Sequence, residues 1–74
     1  MPIPDELDQR VRTITHDLNN ALGLVINYAV LLSRDLEDRP ELAADVAEIR
    51  DAGRHAAELV KELSAVLRGE PAPR

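Results

Sequence analysis

The sequence predicts an all-α fold: an antiparallel helical hairpin that pairs with a second copy of itself into a homodimeric four-helix bundle. Three observations predict it. Apolar residues recur at steps of three and four along two long stretches. One short break, Glu37-Asp38-Arg39-Pro40, separates those stretches, and a connection that short makes consecutive helices antiparallel neighbours. Aromatic residues are 1% of the chain against 45% hydrophobic residues overall, so the core must be aliphatic, as in helices packed along a seam.

Residues 1–4 read as a proline-broken lead-in. Asp5 is placed to cap a first helix over about residues 5–36, with Glu6 and Asp8 in the first turn, where the helix dipole favours negative charge. No proline falls between Asp5 and Leu36, and the only glycine there is Gly23. Leu7, Val11, Ile14, Leu18, Leu22, Val25, Ala29, Leu32 and Leu36 define one helical face. Two steps of four meet at Leu18, which in coiled-coil terms is a stutter, and it falls beside His16.

Residues 37–40 form the turn. Pro40 suits the first position of a second helix, with Asp38 or Arg39 as its cap and Glu41 in its first turn. That helix, about 41–68, carries a heptad stripe of Leu42, Val46, Ile49, Gly53, Ala56, Val60, Leu63 and Leu67. Its small middle (Ala52, Gly53, Ala56, Ala57) permits close helix approach. Gly69 followed by Pro71 is a stop signal, and residues 69–74 read as a linker or disordered tail. Helices of this length span roughly 45 Å. A lone hairpin of that length leaves half of each apolar stripe in water, and pairing with a second copy covers it.

Bulk chemistry removes several function classes. A net charge of −5 without any basic cluster argues against a nucleic-acid surface. The absence of cysteine removes disulfides and cysteine–zinc sites, and no metal site is expected. The apolar run from Ala21 to Leu32 is interrupted by Asn27 and is too short to span a bilayer. The N-terminal residues lack a basic start and an apolar signal segment, so the expected location is cytoplasmic.

His16 is the candidate for chemistry. On a wheel of about 100° per residue it lies about 160° from a core face centred near Leu7 and Leu18, and so faces solvent. Thr13, His16, Asn20, Gly23 and Asn27 form a second stripe opposite the core, polar and uncharged. The outer face of the second helix instead carries Glu48, Glu58, Lys61 and Glu62. A glycine inside a helix costs about 1 kcal/mol relative to alanine, so Gly23 points to close approach by a partner. Leu24, Val30 and Leu31 also lie off the core face, as apolar surface suited to docking.

Imidazole is a nucleophile near neutral pH and attacks a phosphoryl group through one ring nitrogen while the other donates a hydrogen bond. Asp17 is adjacent to take that hydrogen bond or proton. Asn20, one turn on, is placed to hold a water for in-line attack on a phosphorylated partner. The other histidine, His55, lies about 125° off the second helix's core face. It has no adjacent carboxylate or amide, which makes it the weaker acceptor.

The stretch Ile14-Thr15-His16-Asp17-Leu18-Asn19-Asn20-Ala21-Leu22 resembles the H-box of sensor histidine kinases, in the variant reading His-Asp-Leu-Asn-Asn. Residues 23–32 are similar to that family's continuation, and Glu48 to Arg68 resembles the second helix of the same dimerisation and histidine phosphotransfer (DHp/HisKA-type) domain. The resemblance implies that His16 is the phosphoacceptor and that Asp17 assists autophosphorylation. It also implies that Asp17 and Asn20 together support dephosphorylation of a receiver. Ala21 stands where many members have a proline that kinks the helix.

The family's ATP-binding domain is not in this sequence, and Gly23, Gly53 and Gly69 form no phosphate loop. The chain is therefore expected to be the phosphotransfer part of a protein histidine kinase, as a fragment or a free-standing module, and not a kinase alone. No cofactor is expected in it; ATP and Mg are implied for the separate catalytic domain. The implied partners are a second copy, that ATP-binding domain and a response-regulator receiver, with Thr13, Gly23, Leu24, Asn27, Val30 and Leu31 as docking residues. The alternative is a structural dimerising hairpin without phosphotransfer chemistry.

Overall fold

The computed structural model describes residues 4–69. They form two helices, α1 (Asp5–Asp35) and α2 (Pro40–Leu67), joined by a tight turn, and no strand occurs among the described residues. The lead-in at residues 1–3 and the tail at residues 70–74 lie outside the described residues.

Pro4, not Asp5, occupies the cap position of α1, and its carbonyl accepts the Asp8 N–H at 2.9 Å. Proline has no N–H of its own to satisfy and its φ is restricted, so the helix begins immediately after it without a side-chain cap. Asp5, Glu6 and Asp8 then supply the negative charge that the helix N-terminus favours. At the other end the Leu36 N–H reaches the Leu32 carbonyl at 2.9 Å, and Arg39 N–H closes the turn on the Leu36 carbonyl at 2.8 Å. Arg39 caps α2 with Pro40 at the first helical position. Gly69 leaves the helix at φ +80, a left-handed conformation that a side chain would strain, and its N–H donates to the Val66 carbonyl at 3.0 Å.

The two helices run antiparallel, with Val25 and Ile26 against Gly53 and the first turns of α1 beside the last turns of α2. The ribbon measures 53 × 23 × 11 Å, and its thickness is that of a single helix with side chains. Each helix therefore has one neighbour and covers one flank.

That geometry corrects the single core face expected for each helix. In α2, Val46, Gly53, Val60 and Leu67 turn towards α1 and are buried or half-buried, whereas Leu42, Ile49 and Leu63 are exposed. In α1, Val11, Leu22 and Ala29, with Leu36 at its C-cap, turn inward, whereas Leu7, Ile14, Leu18, Val25 and Leu32 are between 43% and 58% exposed. Inward and outward members alternate along most of each repeat; the alternation lapses in α1 at Ile14 and Leu18, both exposed where the stutter falls, and in α2 at Gly53, Ala56 and Val60, all buried or half-buried. The physical reason is that a heptad stripe points between two neighbours, and a single neighbour covers only half of it.

The inner flank takes small and polar residues instead. Its only apolar side chains exposed by less than a tenth are Ala29, Val60 and Ala65 among the described residues. Thr15 and Ser33, both half-buried, donate their hydroxyls to the Arg12 and Ala29 carbonyls at 3.0 and 2.9 Å, so neither leaves a polar atom unsatisfied. The helices approach closely at Gly53, where an added Cβ would sit 3.0 Å from Ile26 Cγ1. Among the described residues, no helix is long and apolar enough to cross a membrane.

Candidate functional site

α1 runs unbroken past His16 and Ala21, because alanine keeps the backbone N–H that a proline there would remove. The His16 side chain is 76% exposed and that of Asp17 is 75% exposed, with His16 Nδ1 and Asp17 Oδ1 3.7 Å apart. That gap is too long for a hydrogen bond, and rotation of either exposed side chain closes it. The pairing turns Nδ1 towards the carboxylate and leaves Nε2 as the ring nitrogen directed away from it.

The rest of the polar stripe is also laid out along the surface. Asn20 and Asn27 are exposed one turn and three turns beyond His16. Thr13 is exposed, with its hydroxyl donated to the Gln9 carbonyl at 3.0 Å. Gly23 is half-buried, and a Cβ added to it would meet nothing within 4 Å. The close approach expected at Gly23 is therefore not made by any of the described residues. Leu24 and Leu31 are 59% and 50% exposed, whereas Val30 is half-buried. Val30 follows the buried Ala29 on the edge of the inner flank, so it is not the surplus exposed surface that the wheel implied. His55 is exposed on the outer side of α2, with no ion pair or hydrogen bond to a neighbouring carboxylate.

The split of the repeat also moves His16 relative to the core. The inward residues of α1 centre near Thr15 and Leu22, about 100° from His16 rather than about 160°. His16 consequently borders the groove between the helices at the open end of the hairpin. This groove encloses about 270 Å³ and is lined from α1 by Asp8, Val11, Arg12, Thr15, His16 and Asn19. Ser64, Leu67 and Arg68 complete it from α2. Arg12 Nε donates to Asp8 Oδ2 at 2.9 Å, with the two side chains 67% and 35% exposed. Arg12 and Arg68 both border the groove, as does the Asp8 carboxylate. The sequence names every residue of this groove but not their meeting, since that depends on the register of α2 against α1.

A second hollow, of about 300 Å³, opens on the uncovered flank between Leu24, Val25, Tyr28, Leu32, Val46 and Ile49. Its walls are apolar. No group of three or more histidine, cysteine or acidic side chains among the described residues is arranged to hold a metal ion.

Chemically, the arrangement offers an exposed nucleophilic imidazole on a helix, with a carboxylate on one side of it and the inter-helix groove on the other. Compared with protein-family models, curated proteins and solved structures, the chain matches none.

Proposed function

We propose that the chain is the phosphoacceptor and dimerisation module of a sensor histidine kinase. The observation that carries the reading is His16, 76% exposed on an unbroken helix with a carboxylate 3.7 Å from one ring nitrogen. With the proton on Nδ1, the Nε2 lone pair attacks the terminal phosphorus of ATP held by a separate nucleotide-binding domain. The Nε2–P bond forms as the bond from phosphorus to the bridging oxygen breaks, and that electron pair leaves with ADP. Asp17 stabilises the resulting imidazolium or takes its Nδ1 proton. A carboxylate oxygen of a receiver aspartate then attacks the same phosphorus, and the N–P electron pair returns to Nε2. Asn20 orients a water for hydrolysis of the receiver's acyl phosphate, and Thr13, Leu24, Asn27 and Leu31 flank the docking face.

Dimerisation is supported by the uncovered half of each repeat. Thirteen large apolar side chains are 42% to 63% exposed among the described residues, far more than a stable two-helix monomer tolerates. A second copy laid on that flank closes a four-helix bundle. The module would act in the cytoplasm, where ATP and a receiver meet it.

Phosphoramidate, a small phosphodonor that releases ammonia on transfer, tests the chemistry without a cognate kinase domain. Acid-labile phosphate should form on wild type and His55→Gln and fall to background in His16→Gln. Because His55 is also exposed but has no adjacent carboxylate, labelling at His16 should be at least about tenfold faster, less than the roughly hundredfold at which a fully positioned base begins. Equal labelling at both histidines would leave only the dimerising-hairpin reading.

A further inference from the structure

We propose that the side of the hairpin facing away from its apolar flank docks an acidic helix of a partner protein, held by Arg34 of α1 and by Arg54 and Lys61 of α2. Binding there needs no chemistry at His16 and so goes beyond the phosphoacceptor reading. The two sides of the ribbon differ in kind. The groove bordered by His16 opens on one side, and the hollow bordered by Tyr28 and Ile49 opens on the other. Arg34 follows His16 by about five full turns, which sets it on the same line of α1. Arg54 and Lys61 stand two heptads and one heptad before Arg68, a residue on the rim of that groove, and so point to the same side. Measured from Gly53, which faces α1, the basic residues of α2 (Arg50, Arg54 and Lys61) lie about 60–100° round. The carboxylates of α2, from Glu41 to Glu62, lie about 140–280° round, on its outer edge and towards the hollow.

Arg34, Arg54 and Lys61 are exposed, and none of them takes part in an ion pair among the described residues. Arg12 and Arg50 are already engaged by Asp8 and Asp51, so the surface does not depend on them. Because Gly53 faces Val25 and Ile26 in an antiparallel pair, Arg34 is level with Ala44, Arg54 with Leu24, and Lys61 with Asp17. The three cations therefore form a line with gaps of roughly 15 Å and 10 Å along the axis. Between them the surface is low. Gly23 and Ala57 are half-buried, and a Cβ added at Gly23 meets nothing within 4 Å, so a second helix axis can come close there. Lys61 stands nearly level with His16, and a partner seated on this line has one end beside the imidazole.

The chemistry of this side selects its occupant. A membrane surface is disfavoured, since an interfacial helix needs apolar side chains to enter the lipid. On the wheel, every large exposed apolar side chain among the described residues lies on the other flank or the outer edges. Nucleic acid is disfavoured too, because three separated cations in a chain of net charge −5 neutralise few phosphates. An acidic helix fits in both charge and spacing. Carboxylates seven residues apart on a helix are separated by roughly 10 Å, the gap between Arg54 and Lys61, and charges in that register along the edge of a helix pair set partner choice. A second copy laid on the apolar flank leaves this side free.

The test uses the full chain and a fluorescent synthetic helix with alanine and leucine on one face and glutamate at every seventh position along its edge. Fluorescence anisotropy should show binding to wild type that weakens as salt is added. Reversing one cation replaces an attraction with a repulsion, so Arg54→Glu and Lys61→Glu should each weaken binding about fivefold, and the double variant about twentyfold. Arg10→Glu makes the same change in net charge on the other side of α1 and should leave binding within about twofold of wild type. A peptide with lysine in place of its glutamates should bind the double variant better than it binds wild type, which a misfolded variant could not produce. Equal binding of the glutamate peptide and a glutamine version would overturn the proposal, as would an equal loss in Arg10→Glu. Tighter binding to vesicles containing anionic lipid, or to duplex DNA, than to the glutamate peptide would also overturn it. Failure of phosphoramidate to label His16 would remove the phosphoacceptor reading and leave this binding result standing.

Discussion

The two flanks of the apolar repeat share one period and have opposite contents. The covered flank is built from small residues, with Ala29, Gly53 and Ala65 among its four buried positions. The uncovered flank carries the bulk, with Leu18, Leu32, Ile49 and Leu63 between 43% and 53% exposed. Small residues let two helix axes come close but remove little apolar area from water. Burial stabilises at about 25 cal/mol per Å², so most of the stabilisation open to this chain lies on the flank that the hairpin itself leaves uncovered. The hairpin alone leaves that flank's apolar area exposed, and the difference between its flanks can be attacked from either side.

The largest effect is expected on the uncovered flank. Ile49→Asp places a carboxylate where the side chain is 53% exposed in the single chain, so it should cost the isolated hairpin little. At an apolar interface between two copies it buries an unpaired charge in each, which costs several kcal/mol. Sedimentation equilibrium should show a dimer for wild type and a monomer for the variant, with association weakened by at least about 100-fold. An unchanged mass would mean that the two flanks do not differ in role.

Gly53→Val attacks the covered flank. Its Cβ falls 3.0 Å from Ile26 Cγ1, and overpacking of this kind costs typically about 2 kcal/mol, only partly offset by the better helix propensity of valine. Urea unfolding should show that loss, and adding Ile26→Ala should recover part of it. A neutral Gly53→Val would mean that the helix axes are not held apart or together at this point.

These two substitutions also mark what could be read from the sequence. Both helices were legible, because Pro40 and Gly69 punctuate them through backbone chemistry that tertiary packing does not override. The exposure of His16 was legible from the wheel. The division of each repeat was not, since Leu18 and Leu22 look alike in sequence and only the number of neighbours decides which one is covered. The groove was illegible for a related reason: Thr15 and Ser64 are far apart in the chain, and nothing local sets them side by side. Asp5 was misread as a cap because acidic residues usually serve there, while Pro4 needs no side-chain partner to begin a helix.

Gly23→Ala sharpens the contrast between two helical glycines. A Cβ at Gly23 meets nothing within 4 Å, so the substitution should stabilise the chain by about 1 kcal/mol through helix propensity alone. Thermal melting should rise, and phosphoramidate labelling of His16 should not change. If Gly23 instead serves a docking partner, the same substitution should slow phosphoryl transfer to a receiver while leaving labelling intact. A destabilised variant would place an unseen close contact at Gly23 and end its contrast with Gly53.

The smallest effect on stability is expected from Asp8→Asn. The Asp8–Arg12 pair is an i,i+4 ion pair with side chains 35% and 67% exposed, worth about 0.3–0.5 kcal/mol and screened by salt. Asp8 also places negative charge near the start of α1, which adds a comparable amount at low ionic strength. The melting point should therefore fall slightly in dilute buffer and hardly at all at high salt.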